Sequence, residues 1–234
     1  MLKFLKYEFK RNWKFNILLL FSFIILTITI KILYYTEDHK YTLAKSIAIL
    51  CLLGASFSVF FYYIKNFSKD LYSDTGYFTF SLPISGYTYF WGKIIFYLTY
   101  SVILFPLSFI SFSIISERDI MNIISSINFN DHNLILTAIS SILFTIFFNV
   151  SVYLSITITH YISKSKNIYF LWIFILVFIM VSGSYLQLKI NSLFDPISFI
   201  NNTVLYTNIS ILLIYIIISG TLGGYLIDKK LELQ

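Results

Sequence analysis

Six long stretches of the sequence are almost free of charged side chains. Each is about as long as the roughly 20 apolar residues that a helix needs to cross a hydrocarbon core of about 30 Å. The predicted spans cover residues 16–35, 46–64, 94–116, 134–159, 167–188 and 208–227. Lys31 is the only charged residue within any of them, and it lies close enough to the end of its span to reach the interface.

The composition excludes a soluble domain. Hydrophobic residues make up 58% of the 234 residues and charged residues 12%, whereas soluble domains carry about 25% charged residues. Cys51 is the only cysteine, so no intramolecular disulfide can form. The sequence therefore predicts an all-α membrane protein, in which residues 1–234 form a single transmembrane domain with six transmembrane helices.

The distribution of Lys and Arg predicts the topology, because basic residues near the ends of spans are retained on the cytoplasmic side. With six spans, both termini lie on the same side. Twelve of the 17 Lys and Arg residues then fall on that side, and five on the other. We therefore expect both termini to be cytoplasmic.

The N-terminal segment combines apolar residues at helical spacing with many basic residues. Leu2, Leu5, Phe9 and Trp13 recur every three or four positions, and basic side chains fill much of the remaining circumference. This pattern predicts an amphipathic interfacial helix over residues 2–14 that lies along the inner leaflet. The alternative is a basic flank that only sets the topology.

The sequence lacks the motifs that carry chemistry in enzymes. It has no Gly-x-Ser-x-Gly elbow, no phosphate-binding loop of the usual spacing and no His-Glu-x-x-His helix, and its three histidines fall in three different predicted connections. We therefore expect a protein that is not an enzyme, with no catalytic residue, no metal site and no cofactor of its own.

Neutral polar and small residues within the spans suggest two further sites. Thr145, Asn149 and Tyr153 recur at intervals of four, so they share a helix face that could line a substrate path; the alternative is that such side chains join helices. Small residues four apart predict close helix packing in the last and second spans. These packing positions are Gly220 and Gly224, and Gly54 and Ser58.

The longest predicted cytoplasmic connection covers residues 65–93. It contains the aromatic residues Tyr77, Phe78 and Phe80, which either form a docking surface for a cytosolic partner or fold back onto the bilayer interface. The sequence Asp74-Thr75-Gly76 precedes a hydrophobic run, which is followed by Leu82-Pro83, Ser85 and then Gly92-Lys93 at the start of the third span.

In these residues the chain resembles the type-2 permease subunits of bacterial ATP-binding-cassette exporters, in particular permeases that export peptides, bacteriocins or toxins. In outline the resemblance extends to the six spans, the basic N-terminal helix and an apolar outer segment before the last span. It implies that residues 65–93 are a coupling loop that docks on a separate ATPase. The implied ATPase-coupling residues are Asp70, Asp74, Thr75, Gly76, Tyr77, Leu82 and Pro83.

The resemblance also implies a set of partners. Two permease chains, either two copies or a copy and a sibling, would pair in the bacterial plasma membrane among membrane lipids and would bind two ATPase subunits. ATP and Mg²⁺ would be bound by those subunits, and nucleic acid would not be a partner. The implied function is efflux of an amphipathic or hydrophobic substrate, with peptide the favoured class. The alternative is a non-transporting scaffold or regulatory subunit that docks a cytosolic partner.

Overall fold

The protein is all helical throughout the part of the chain that the structure, a computed structural model, describes. That part comprises residues 2–34, 38–72, 84–116, 132–162, 170–194 and 202–231, and no β-strand occurs in it. The helices are α1 (Leu2–Tyr34), α2 (Asp38–Tyr72), α3 (Gly86–Ser116), α4 (His132–Ile162), α5 (Leu171–Phe194) and α6 (Asn202–Leu231).

Four segments of these helices are long and apolar enough to span a membrane. They are Leu2–Thr29, His132–Ile162, Leu171–Ile190 and Val204–Lys229. The other two predicted spans, residues 46–64 and 94–116, lie inside α2 and α3. The all-helical membrane fold is thus confirmed, and the number of six spans stays a prediction.

The described helices extend beyond the predicted spans, and this changes the predicted coupling loop. Residues 65–72 continue α2 and residues 86–93 form the first turns of α3, so both ends of the region predicted as a loop are helical. The predicted spans end at charged residues because these residues end the apolar stretches. The helices continue past them. Residues 73–83 lie outside the described part of the chain.

The chain packs as two compact units. The first consists of Met1–Tyr63 and Ile95–Asn128, and the second of Ile64–Ile94 and Phe129–Gln234. In the first unit, two buried residues from each of α1, α2 and α3 form the core. These are Leu19 and Phe23, Val59 and Tyr63, and Phe96 and Tyr100.

Helix α1 continues without a break through the predicted boundary between the interfacial helix (residues 2–14) and the first span. The first 13 residues are therefore not a separate element. Of the four residues on the predicted apolar face, Leu5 and Phe9 pack against the core of the first unit, while Leu2 and Trp13 are 83% and 53% exposed. The buried residues at the start of α1 are instead Phe4, Glu8, Asn12 and Asn16, one turn apart.

Tyrosines of α2 and α3 donate hydrogen bonds to the asparagines of this buried face. The Tyr62 hydroxyl donates to Asn12 Oδ1 (3.0 Å), the Tyr63 hydroxyl donates to Asn16 Oδ1 (2.9 Å), and the Tyr100 hydroxyl donates to the Asn16 carbonyl oxygen (3.1 Å). Hydrogen bonds between polar side chains hold membrane helices together, and each contributes about 0.6 kcal/mol on average.

We expect Asn16→Ala to lower the free energy of unfolding by about 1–3 kcal/mol, because it removes the amide oxygen that accepts the hydrogen bond of the buried Tyr63 hydroxyl. Combining Asn16→Ala with Tyr63→Phe should cost less than the sum of the two single changes. A double-mutant cycle, followed by unfolding in mixed micelles, measures this coupling. Additive single changes would show that the two side chains do not interact.

In the second unit, α4 packs most extensively on α6, and α5 touches both. Residues 149–157 of α4 are buried without interruption, whereas most of α5 is exposed. Several hydroxyl groups in the buried part of α4 donate hydrogen bonds to the helix itself, for example from Thr157 to the Tyr153 carbonyl oxygen and from Thr159 to the Ser155 carbonyl oxygen (both 2.8 Å). The C-terminal half of α4 is therefore the centre of this unit.

Candidate functional site

A buried ion pair joins the end of α2 to the beginning of α3. Lys93 Nζ lies 2.6 Å from Asp70 Oδ2, and both side chains are only 5% exposed. The Tyr89 hydroxyl donates to the same carboxylate oxygen at 3.2 Å. Two charges that are buried away from water require this close pairing, because burying an unpaired charge is very unfavourable in free energy. The pair connects the two helix ends that flank residues 73–83.

An aromatic cluster surrounds the ion pair. Phe67, which is fully buried in α2, packs on Tyr89 and Phe90 of α3, with ring centroids 5.9 and 6.3 Å away. It also packs on Tyr153 of α4 at 4.4 Å. Phe67 therefore connects the end of α2 to two other helices.

Aromatic side chains of α3 pack directly on the glycines of α6. A Cβ atom added to Gly220 would lie 2.1 Å from the Trp91 ring, and one added to Gly223 would lie 2.4 Å from the Phe90 ring. A Cβ atom added to Gly224 would lie 2.5 Å from the Tyr87 ring. Only residues without a side chain fit at these three positions, so the start of α3 lies directly against α6.

The first turn of α3 is capped from two sides. Ser85 is the N-cap residue: its Oγ accepts a hydrogen bond from the Thr88 N–H (3.3 Å), and its carbonyl oxygen accepts one from the Tyr89 N–H (3.0 Å). The Gly86 N–H donates to the carboxylate of Asp228 in α6. An acidic side chain at this position also interacts favourably with the positive end of the helix dipole.

We call the residues that fix this helix start the α3 anchor. They are Phe67, Asp70, Ser85, Gly86, Tyr87, Tyr89, Phe90, Trp91, Lys93, Gly220, Gly223, Gly224 and Asp228. The anchor ties the beginning of α3 to α2 on one side and to α6 on the other. Any displacement of the chain just before Ser85 therefore acts on three helices together.

Of the residues implied to couple to an ATPase, Asp70 belongs to the α3 anchor. The others lie in residues 73–83, outside the described part of the chain: Asp74, Thr75, Gly76, Tyr77, Leu82 and Pro83. The sequence interpretation used Lys93 as part of the permease-like motif and as a cytoplasmic basic residue, and it left Phe67, Tyr89 and Asp228 unassigned. The sequence did contain a signal for a face that packs on glycines. Phe90 and Trp91 follow Tyr87 by three and four residues, just before a predicted span.

The residues of the predicted substrate path have different environments. Asn149 is buried and its Nδ2 donates to the Thr145 carbonyl oxygen (2.7 Å), and Tyr153 is buried against Phe67. Thr145 is exposed and lines an open groove of about 430 Å³ among α4, α5 and α6. The groove also contains Thr137, Ser140, Ser141, Phe144, Gln187, Leu205 and Leu212.

The two predicted packing pairs also differ. Gly220 and Gly224 face Trp91 and Tyr87, as described above. A Cβ atom added to Gly54 would have no neighbour within 4 Å, and Ser58 is exposed. Among the described residues, α2 therefore has no close helix neighbour at Gly54.

No family model, curated protein or solved structure matches this chain. The geometry of the site is therefore the basis for a functional proposal. Within the described ranges, no three His, Cys, Asp or Glu side chains come together as metal ligands would. The Asp70–Lys93 ion pair of the α3 anchor links the two helix ends that flank residues 73–83.

Proposed function

We propose that this chain is the membrane-spanning permease subunit of an ATP-driven bacterial exporter. The observation that carries the proposal is the buried ion pair of Asp70 with Lys93, which joins the helix ends on both sides of residues 73–83. A partner that pushes on this segment would move the ends of α2 and α3 as one body. Such a chain needs no catalytic residue, because its role is to pass a displacement imposed by the partner on to its membrane helices.

In this proposal ATP hydrolysis belongs to separate ATPase subunits, which bind the ATP and Mg²⁺. The permease has six spans with both termini in the cytoplasm of a bacterial cell, and it pairs with a second copy or a sibling. Residues 73–83 contact the ATPase, and the α3 anchor passes the displacement to α6. The chain itself has no enzyme activity and holds no cofactor.

The proposed cargo is an amphipathic or hydrophobic molecule, with peptide the favoured class. Support comes from the groove around Thr145, whose lining contains hydroxyl and amide groups beside apolar side chains and, among the described residues, no charged one. Such a surface suits a molecule with an apolar body and uncharged hydrogen-bonding groups, and it suits a small ion poorly. Asn149 and Tyr153 then support the groove from the buried side of α4.

The test is the ATPase activity of the complete exporter in proteoliposomes, with the permease copurified with its ATPase. We expect Gly76→Pro and Asp74→Lys to reduce the stimulation of ATP hydrolysis by the permease at least tenfold. Both changes fall in the segment that would contact the ATPase, and neither replaces a residue of the α3 anchor. Asp195→Lys, the same charge change in a connection predicted to face the other side, should leave the stimulation intact.

Two outcomes would overturn the proposal. If no ATPase copurifies with the chain, a scaffold or regulatory role is favoured. If Asp74→Lys and Asp195→Lys behave alike, residues 73–83 are not the point at which ATP hydrolysis is coupled to the membrane domain.

A further inference from the structure

Four lysines form a stripe along the first turns of α1. Lys3, Lys6, Lys10 and Lys14 are three or four residues apart, so they share one helix face over roughly 17 Å. All four are exposed. None of them pairs with an acid or donates a hydrogen bond to another residue in the described ranges. The lysine stripe therefore carries four uncompensated positive charges within those ranges.

The lysine stripe lies on the side of α1 opposite to the packed face. Each residue turns an α-helix by about 100°, so Lys10 lies about 200° from both Glu8 and Asn12. Glu8 and Asn12 are buried against the rest of the first unit. The lysines thus point away from this unit, toward whatever surrounds it.

The same face continues into apolar side chains without a break in the helix. Ile17, Phe21 and Ile28 are 40%, 60% and 54% exposed, and they follow Lys14 at helical spacing. In a membrane these side chains contact lipid acyl chains. A molecule that lies along this face therefore meets apolar groups over one part of its length and ammonium groups over the next.

A shallow groove marks the change from the apolar part of this face to the basic part. It has a volume of about 520 Å³, and Trp13, Lys14, Ile17 and Phe21 are among the residues that line it. Trp is the residue type enriched at the boundary between hydrocarbon and head groups. The Lys14 side chain stands at the basic end of the groove, and Lys10 follows one turn further.

We propose that this face of α1 binds an anionic phospholipid, with its phosphate at Lys10 and Lys14 and an acyl chain in the groove beside Trp13. Charge complementarity selects an anionic head group, and the continuous apolar face below it selects a ligand that has a hydrocarbon tail. A soluble acidic protein would complement the lysines but would leave the groove unfilled. The proposal does not depend on transport, because it concerns only the face of α1 that carries the lysine stripe.

Native mass spectrometry of the full chain in detergent tests the proposal, with phosphatidylglycerol and phosphatidylcholine added in separate titrations. A lysine near an anionic lipid surface contributes about a fivefold gain in attachment. The double variant Lys10→Gln/Lys14→Gln is therefore expected to bind phosphatidylglycerol roughly 25-fold more weakly, with little change for phosphatidylcholine. Since both lysines are exposed, these substitutions should not disturb folding.

The matched control is Lys31→Gln/Lys189→Gln, which removes two exposed lysines and the same charge from other positions. It should keep the preference for phosphatidylglycerol, as should Lys10→Arg/Lys14→Arg, which retains the charge. Soluble glycerophosphate, which has a head-group charge but no tail, should not displace the lipid. Equal losses in the two glutamine doubles, unchanged binding in both, or displacement by glycerophosphate would each overturn the proposal. Unchanged lipid binding would leave an acidic protein as the ligand of the lysine stripe.

Discussion

Lys93→Met is expected to lower the free energy of unfolding by about 3–5 kcal/mol, because it removes the ammonium group that pairs with the buried carboxylate of Asp70. The Tyr89 hydroxyl also donates a hydrogen bond to this carboxylate, but a neutral donor does not replace an ammonium group at 2.6 Å. The measurement is unfolding of the purified chain in mixed micelles of increasing denaturing-detergent content.

Two further variants separate loss of the ion pair from loss of a lysine. Lys65→Met removes an exposed lysine from the same region of α2, and its effect should stay within about 0.5 kcal/mol. The double variant Asp70→Leu/Lys93→Met removes both charges and should be markedly more stable than Lys93→Met alone, since apolar residues often replace a buried ion pair at little cost. Equal stability of Lys93→Met and Lys65→Met would show that the pair contributes nothing.

Gly86→Ala is expected to lower the free energy of unfolding by about 1–3 kcal/mol, because the added methyl group would overlap the backbone of α6. The new Cβ atom would lie 2.7 Å from the Gly224 carbonyl oxygen and 2.7 Å from the Asp228 backbone nitrogen. Backbone atoms cannot move aside as a flexible side chain can. The hydrogen bond from the Gly86 N–H to Asp228 would be strained as well.

Gly54→Ala is the matched control for this substitution. Gly54 also lies in a helix, but nothing lies within 4 Å of an added Cβ atom. Alanine should therefore stabilise α2 by about 0.5–1 kcal/mol through its higher helix propensity. Opposite signs for Gly86→Ala and Gly54→Ala are the expected result of the same unfolding measurement. A loss of similar size at both positions would contradict the close approach of α3 to α6.

The apolar stretches of the sequence predicted the all-helical fold because they follow from a single physical requirement, that a backbone in lipid must satisfy its own hydrogen bonds. The helix ends were predicted less well. Charged residues near the ends of apolar stretches were assigned to loops, although Lys65 and Asp70 lie in α2 and Lys93 lies in α3. A charge can stay helical when it is exposed, as Lys65 is, or when it is paired, as Asp70 is with Lys93.

The contacts of the α3 anchor could be predicted only in part. The spacing of Gly220 and Gly224 predicts a smooth helix face, but spacing does not identify the helix that packs on it. The pairing of Asp70 with Lys93 could not be predicted, since 23 residues separate them and no helical period connects the two positions. On α1 the apolar pattern does not reveal the buried asparagines, because tyrosines from other helices donate hydrogen bonds to them.

The order of α4, α5 and α6 along the chain has a consequence for biosynthesis. The C-terminal half of α4, which includes the continuously buried residues 149–157, carries hydroxyl, amide and imidazole groups, and its main cover is α6. The ribosome makes α5 first, and α5 packs much less extensively on α4 than α6 does. The newly inserted α4 therefore lacks its main packing partner, in the membrane or beside the insertion machinery, until α6 has been synthesised. A chain released before α6 is made would expose this half of α4, which makes it a natural substrate for membrane proteases.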